Sequence, residues 1–149
     1  MTKPVPGESF PPAAAVLGVT GLVPFLGLAA LALLAPALRE AALGALRSYG
    51  AVILSFVGAL HWAYAVRRVA HGSSAWIQYG WSVIPALVAW ATLLLPIPAG
   101  LRGQAAALVA CLWIDHAMAR VDPVPAWLLR LRLLLTAVAA GTLALASLA

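Results

Sequence analysis

Long apolar segments, separated by short charged stretches, constrain this chain more than any other feature of its sequence. The first segment runs from Phe10 to Leu38 without a charged residue, and a helix needs only about 20 apolar residues to cross the hydrocarbon core of a bilayer. Hydrophobic residues make up 64% of the chain and charged residues 9%, whereas about a quarter of a soluble domain is charged. The sequence therefore predicts an integral membrane protein and excludes a soluble enzyme or a disulfide-rich secreted module.

Charged and turn-forming residues divide the chain into five apolar segments. The dividing features are the charges at 39–47 and 67–68, the polar loop at 71–74, the turn at 96–100 and the Asp122-Pro123-Val124-Pro125 break. The predicted helices cover residues 13–35, 48–66, 76–95, 104–119 and 127–148. We therefore expect an all-α integral membrane bundle of about five transmembrane helices, forming a single domain over 1–149. The fourth helix is the weakest prediction because it contains Asp115 and His116.

The basic residues predict the orientation of this bundle. With five spans the termini lie on opposite sides of the membrane. Six basic residues then lie on the side of the N-terminus: Lys3, Arg67, Arg68, Arg120, Arg130 and Arg132. Three lie on the other side: Arg39, Arg47 and Arg102. Since cytoplasmic loops are enriched in Lys and Arg, we expect a cytoplasmic N-terminus and an external C-terminus. The net charge of +5 does not indicate nucleic-acid binding, because these residues form no patch that could follow a phosphate backbone.

In this orientation the intramembrane polar groups gather in the cytoplasmic third of the bundle. The candidate site residues of this layer are His61, Trp62, Trp81, Ser82, Asp115, His116 and Arg132. An ionisable group inside a span suggests a function by default, because charge in hydrocarbon is costly. Tryptophans in such a layer are otherwise typical of the interfacial belt. The layer is thus expected either to bind a ligand or to hold the helices together.

Asp115 needs a partner, and Arg132 is the predicted one. An unpaired carboxylate about one turn inside a helix end costs a few kcal/mol, and an arginine partner offsets most of that cost. Arg130 and Arg132 lie roughly 200° apart on a helix, so only one of them faces inward. The face of Arg132 continues through Thr136 and Ala140, which are small enough for close packing. A structural and a functional role for the predicted pair both remain open.

Neither a catalytic constellation nor a cofactor or metal site is predicted. His61 and His116 on separate helices could ligate a haem, but two histidines alone are a weak signal, and no helical spacing of His with a carboxylate supports a metal site. Ser55, Ser82 and Cys111 have no recognisable nucleophile elbow or neighbouring base.

Three packing features accompany the polar layer. Pro24 and Pro85 fall inside predicted helices, where a kink is expected at Pro85. Gly58, one turn before His61, is expected to leave room beside the imidazole ring. A ridge of small residues on the second helix is expected to pack within the bundle: Ala51, Ser55, Ala59 and Ala63.

Several motifs together resemble the transmembrane-protein-69-like family of small polytopic membrane proteins, whose domain has no established function. They are Gly21-Leu22-Val23-Pro24-Phe25, the 49–56 segment Tyr-Gly-Ala-Val-Ile-Leu-Ser-Phe with His61-Trp62, Trp81-Ser82-Val83-Ile84-Pro85, Asp115, and Leu131-Arg132. The resemblance extends from Gly18 to Thr136. It implies about five helices in a bacterial-type inner (plasma) membrane, or in the mitochondrial inner membrane of a eukaryote. It also places the family's polar positions at His61, Asp115 and Arg132, and it implies no activity or cofactor.

Three hypotheses about function remain. The first, suggested by small size and short loops, is a non-enzymatic accessory or assembly subunit of a larger respiratory or photosynthetic membrane complex. The second is a small proton-linked transporter or channel with Asp115, His61 and His116 as relay groups, although these groups lie at one end only. The third is a pocket for a quinone, lipid or haem between His61, Trp62, Trp81 and Ser82. The expected partners are accordingly the lipid bilayer and other integral membrane subunits, or a quinone or lipid molecule, but no nucleic acid.

Overall fold

The computed structural model describes residues 11–69, 75–120 and 124–149, and these residues form six α-helices without a β-strand. The helices are α1 (Pro12–Thr20), α2 (Val23–Leu34), α3 (Arg39–Val69), α4 (Ala75–Leu93), α5 (Ile97–Ala119) and α6 (Ala126–Ala146). A 3-10 turn, Pro36–Leu38, connects α2 to α3. Lys3, the predicted loop at 71–74 and the start of the predicted break at 122–125 lie outside the described residues.

Four helical segments of the described chain are long and apolar enough to cross a membrane, which confirms the all-α membrane bundle. They are Pro12–Leu34, Pro36–Ala63, Ile97–Ala119 and Ala126–Ala146. A fifth apolar segment, Tyr79–Leu93 in α4, is shorter. The predicted fourth helix, expected to be the weakest, is therefore a full-length span, and the predicted third helix is the short one.

The first span consists of two helices because the chain breaks at Gly21 and Leu22. Pro24 lies in the first turn of α2, where its missing N–H leaves no hydrogen bond unmade. The hydroxyl of Tyr49 donates a hydrogen bond of 2.9 Å to the carbonyl of Gly21. The edge of the Phe25 ring packs against Tyr49 at 5.1 Å. The break is thus stabilised by contacts from α3.

The sequence suggested that the charged residues at 39–47 form a turn. In the structure they lie inside α3. Helix α3 begins at Arg39, and not at 48. The reason is that two arginines extend to carbonyls outside their own helix: Arg39 Nε donates to Ala32 O at 3.2 Å, and Arg47 Nη1 donates to Leu95 O at 2.5 Å. These charges therefore cap the ends of α2 and α4 while the backbone of α3 remains helical.

The predicted turn at 96–100 is shorter than expected. Helix α5 begins at Ile97, and not at 104, with Pro98 in its first turn, where proline is favoured. Gly100 is helical and buried against α3, since a Cβ atom there would lie 2.8 Å from Arg47 Cδ. The other observed helix ends lie within three residues of the predicted ones.

Helix α3 lies at the centre of the bundle and packs against α2, α4, α5 and α6. It lies close to α4 at Gly58, where a Cβ atom would lie 2.8 Å from Pro85 Cβ. Gly58 therefore makes room for Pro85, and not for the imidazole ring as predicted. The small-residue ridge is only partly internal, because Ala51 is buried whereas Ala59 and Ala63 are exposed.

Candidate functional site

Three helices each contribute one ionisable side chain to a buried cluster: His61 from α3, Asp115 from α5 and Arg132 from α6. Arg132 Nε and Nη2 both donate to Asp115 Oδ2, at 2.8 and 2.6 Å. His61 Nε2 lies 2.8 Å from the other carboxylate oxygen, Oδ1. The side chains of His61, Asp115 and Arg132 are 3%, 12% and 14% exposed. The ion pair predicted between Asp115 and Arg132 is therefore present, and His61 extends it to a third helix.

Helix direction brings these residues to one level of the bundle. α3 and α5 both end near the cluster, whereas α6 begins there. At 1.5 Å per residue, His61 lies about 12 Å from the end of α3, Asp115 about 6 Å from the end of α5, and Arg132 about 9 Å from the start of α6. Arg130 is exposed, as expected for a residue two positions before an inward-facing arginine.

The histidine contacts depend on the number of protons on the ring. Nδ1 of His61 lies 3.2 Å from the carbonyl oxygen of Val57, one turn earlier in α3, while Nε2 faces the carboxylate of Asp115. A neutral imidazole has a single N–H. Both contacts are donated hydrogen bonds only when the ring is an imidazolium.

The other four predicted site residues do not join the hydrogen bonds of the cluster. Trp81 makes a perpendicular ring contact with His61, with centroids 6.3 Å apart. Trp62 is half exposed and packs on Tyr79 at 4.8 Å, and Ser82 Oγ donates to the carbonyl of Tyr79 at 2.6 Å. His116 Nδ1 lies 2.9 Å from the carbonyl one turn earlier in α5. The predicted polar layer thus consists of the three-residue cluster and of four side chains that make ring contacts or bond to backbone carbonyls of their own helix.

A small cavity of about 50 Å³ opens beside the cluster, between α3, α5 and α6. Its polar wall consists of His61, Asp115 and Arg132, and its apolar wall includes Leu60, Met118, Leu128 and Leu129. The sequence suggested a cleft that Trp62, Trp81 and Ser82 would line together with His61. None of these three residues lines this cavity, which lies against α5 and α6.

A second polar cluster, which sequence reasoning missed, lies at the opposite end of the bundle. The fully buried amide of Gln104 donates to the carbonyl of Arg47 at 2.9 Å and to the hydroxyl of Thr92 at 3.0 Å. It therefore joins α3, α4 and α5. The only signal in the sequence was an uncharged amide within an apolar segment, where a polar side chain needs a partner on another helix.

The comparisons with known proteins agree with this architecture. The profile of the family described as "Protein of unknown function (DUF3429)" matches residues 10–148, which include all the described helices and both polar clusters. Transmembrane protein 69 of Xenopus tropicalis is 32% identical over 136 residues, covering 89% of this chain and 53% of the relative. The chain thus spans about half the length of this relative. No solved structure matches this chain. The chain belongs to the DUF3429 family, the transmembrane-protein-69-like proteins that its motifs resemble.

Proposed function

We propose that this protein is a non-enzymatic accessory or assembly subunit of a larger membrane complex. The observation that carries the proposal is that polar groups of the described interior are used to join helices. His61, Asp115 and Arg132 join α3, α5 and α6, and Gln104 joins α3, α4 and α5. The cavity beside the first cluster measures about 50 Å³, whereas small-molecule sites enclose roughly 300–1,000 Å³. A wider groove of about 390 Å³, lined by Trp62, Trp76 and Tyr79 among others, contains no residue of either polar cluster. The use of the polar groups therefore favours a structural role over turnover of a substrate.

The distance between the two polar clusters does not favour a proton-linked transporter. Gln104 and Asp115 are eleven residues apart on α5, which corresponds to about 16 Å along the helix. Buried Leu54, Leu108 and Cys111 occupy the section between them. We therefore expect the Asp115→Asn variant to support the same proton flux in liposomes as the wild-type protein, since the described residues form no continuous polar path from the carboxylate to the other end of the bundle.

The first span offers the most surface to a neighbouring membrane helix. Only 11% of the apolar stretch within Pro12–Leu34 is buried inside the bundle. The corresponding share is 28–39% in the other three full-length spans. Leu17, Val23 and Leu34 are 72%, 64% and 83% exposed. We propose this span as the contact with the partner subunit. We also place the protein, within the same proposal, in a bacterial plasma membrane or mitochondrial inner membrane, with the N-terminus on the cytoplasmic side.

Purification from the native membrane tests the subunit role directly. The tagged protein is extracted in mild detergent, and co-eluting proteins are identified and quantified by mass spectrometry. Val23→Trp adds bulk to the proposed contact, and Val52→Trp adds the same bulk on α3 at a residue of equal exposure, 63% against 64%. We expect a stoichiometric partner with the wild-type protein and Val52→Trp, and its loss with Val23→Trp. A protein that elutes alone, both in mild detergent and in detergent-free lipid nanodiscs, would contradict the subunit role.

A further inference from the structure

Arg132 has hydrogen-bond donors that its ion pair does not use. A guanidinium carries five N–H groups, and the contacts of Arg132 in the described residues are the two bonds from Nε and Nη2 to a single oxygen of Asp115. The two N–H groups of Nη1 and one of Nη2 therefore have no acceptor among the residues that the structure describes. Since Arg132 lines the cavity between α3, α5 and α6, a ligand that enters this cavity meets unused cationic donors.

The unused donors of Arg132 determine what such a ligand would be. The guanidinium is always charged, and its remaining N–H groups can donate but not accept. The complementary group is an anionic oxygen, which forms short charge-assisted hydrogen bonds with a guanidinium.

Depth in the membrane indicates where that oxygen comes from. The three residues lie about 6–12 Å from the helix ends, and the headgroup region adds roughly 5–7 Å on each side of the hydrocarbon core. The cluster thus lies near the boundary where phospholipid headgroups meet acyl chains. The cavity of about 50 Å³ exceeds the roughly 30 Å³ share of one water molecule, so it has room for phosphate oxygens while the rest of a lipid lies outside it. Leu60, Leu128 and Leu129 provide an apolar wall for an acyl chain.

We propose that this cavity binds one anionic phospholipid, whose phosphate oxygens accept the unused N–H groups of Arg132 and whose acyl chain follows the apolar wall. This site lies on the α3–α5–α6 side and does not require the protein partner proposed for the first span.

Native mass spectrometry of the detergent-purified protein tests the site by titration with palmitoyl-oleoyl phosphatidylglycerol. Phosphatidylcholine with the same acyl chains is the zwitterionic comparison. Ala119→Leu adds bulk to the cavity and retains both residues of the ion pair, and Ala110→Leu adds the same bulk on the exposed face of α5. Arg132→Gln removes the donors, and Arg130→Gln removes an exposed arginine from the same helix.

We expect one phosphatidylglycerol per chain, bound at least about tenfold more tightly than phosphatidylcholine, because both lipids offer the same phosphate oxygens but the choline cation adds repulsion beside the guanidinium of Arg132. Ala119→Leu and Arg132→Gln should each weaken that binding about tenfold or more, whereas Ala110→Leu and Arg130→Gln should leave it unchanged. Equal affinity for the two lipids, or unchanged binding in Ala119→Leu, would overturn the proposal. Displacement of the lipid by millimolar inorganic phosphate would identify a site for a free anion, and retention of ubiquinone in place of phosphatidylglycerol would identify a quinone site.

Discussion

Removing Asp115 and Arg132 together should destabilise the bundle less than the sum of the two single substitutions. The carboxylate receives two arginine bonds of 2.6 and 2.8 Å and lies 2.8 Å from His61 Nε2. Arg132→Met leaves the carboxylate with one partner, and Asp115→Leu leaves the guanidinium with none. Each single variant removes the arginine–carboxylate pairing of a buried charge, so each should cost about 3–5 kcal/mol of unfolding free energy, with Arg132→Met at the lower end because His61 still contacts the carboxylate. The double variant removes both charges, so it should cost less than the sum of the single changes by roughly 2–3 kcal/mol.

Reversible unfolding by SDS in mixed lipid–detergent micelles, followed by far-ultraviolet circular dichroism, measures all four proteins of this cycle. Arg130→Met is the matched control, because it removes an exposed arginine from the same helix, and it should change the unfolding free energy by less than about 0.5 kcal/mol. The reasoning fails if the effects of Asp115→Leu and Arg132→Met add to within about 0.5 kcal/mol, because the two side chains would then not act as a pair.

Three further substitutions test contacts between helices, each measured by the same unfolding assay. Gly50→Ala should cost about 1–3 kcal/mol through overpacking, because its Cβ atom would overlap Gln104 Oε1; an unchanged unfolding free energy would show that the amide moves freely. Gly44→Ala, whose new Cβ would meet open space, should instead stabilise helix α3 by about 0.5–1 kcal/mol, and a loss of stability there would contradict that assignment. Tyr49→Phe should cost about 0.5–1.5 kcal/mol, because it leaves the carbonyl of Gly21 without its hydroxyl donor; no loss would mean that another donor replaces the hydroxyl.

The ion pair was predictable because a charged side chain in an apolar span needs an oppositely charged partner at the same depth, and the sequence offers few. Asp115 required a partner at its own depth, and helix periodicity allowed only one of Arg130 and Arg132 to face inward. The participation of His61 was expected only from its place in the same layer and from the family resemblance, which has a polar position there. That His61 contacts Asp115, whereas His116 bonds to its own helix, depends on how α3 and α5 rotate about their axes, and side-chain packing sets that rotation.

The errors at helix ends have a related physical cause. Charged residues at 39–47 and the prolines at 96–98 are ordinary signals for a turn. Here Arg47 satisfies a carbonyl at the end of α4, and Pro98 occupies a first turn that needs no N–H. Gln104 was overlooked because its partners, Arg47 O and Thr92 Oγ1, lie 57 and 12 residues away in the chain. No local pattern in the sequence could have identified either partner.

By itself, the sequence determined the class of the protein and the level of its polar residues. Apolar length and the scarcity of charge require a membrane bundle, and the position of a residue along its helix gives its depth, because the rise per residue is constant. Only the tertiary structure decided which side chains at one depth meet. It joined His61 to the Asp115–Arg132 pair, placed the cavity against α5 and α6 and not beside Trp81, and brought Gln104 against Gly50. Such contacts depend on interhelical packing, where a missing side chain at Gly50 or Gly58 allows two helices to approach closely.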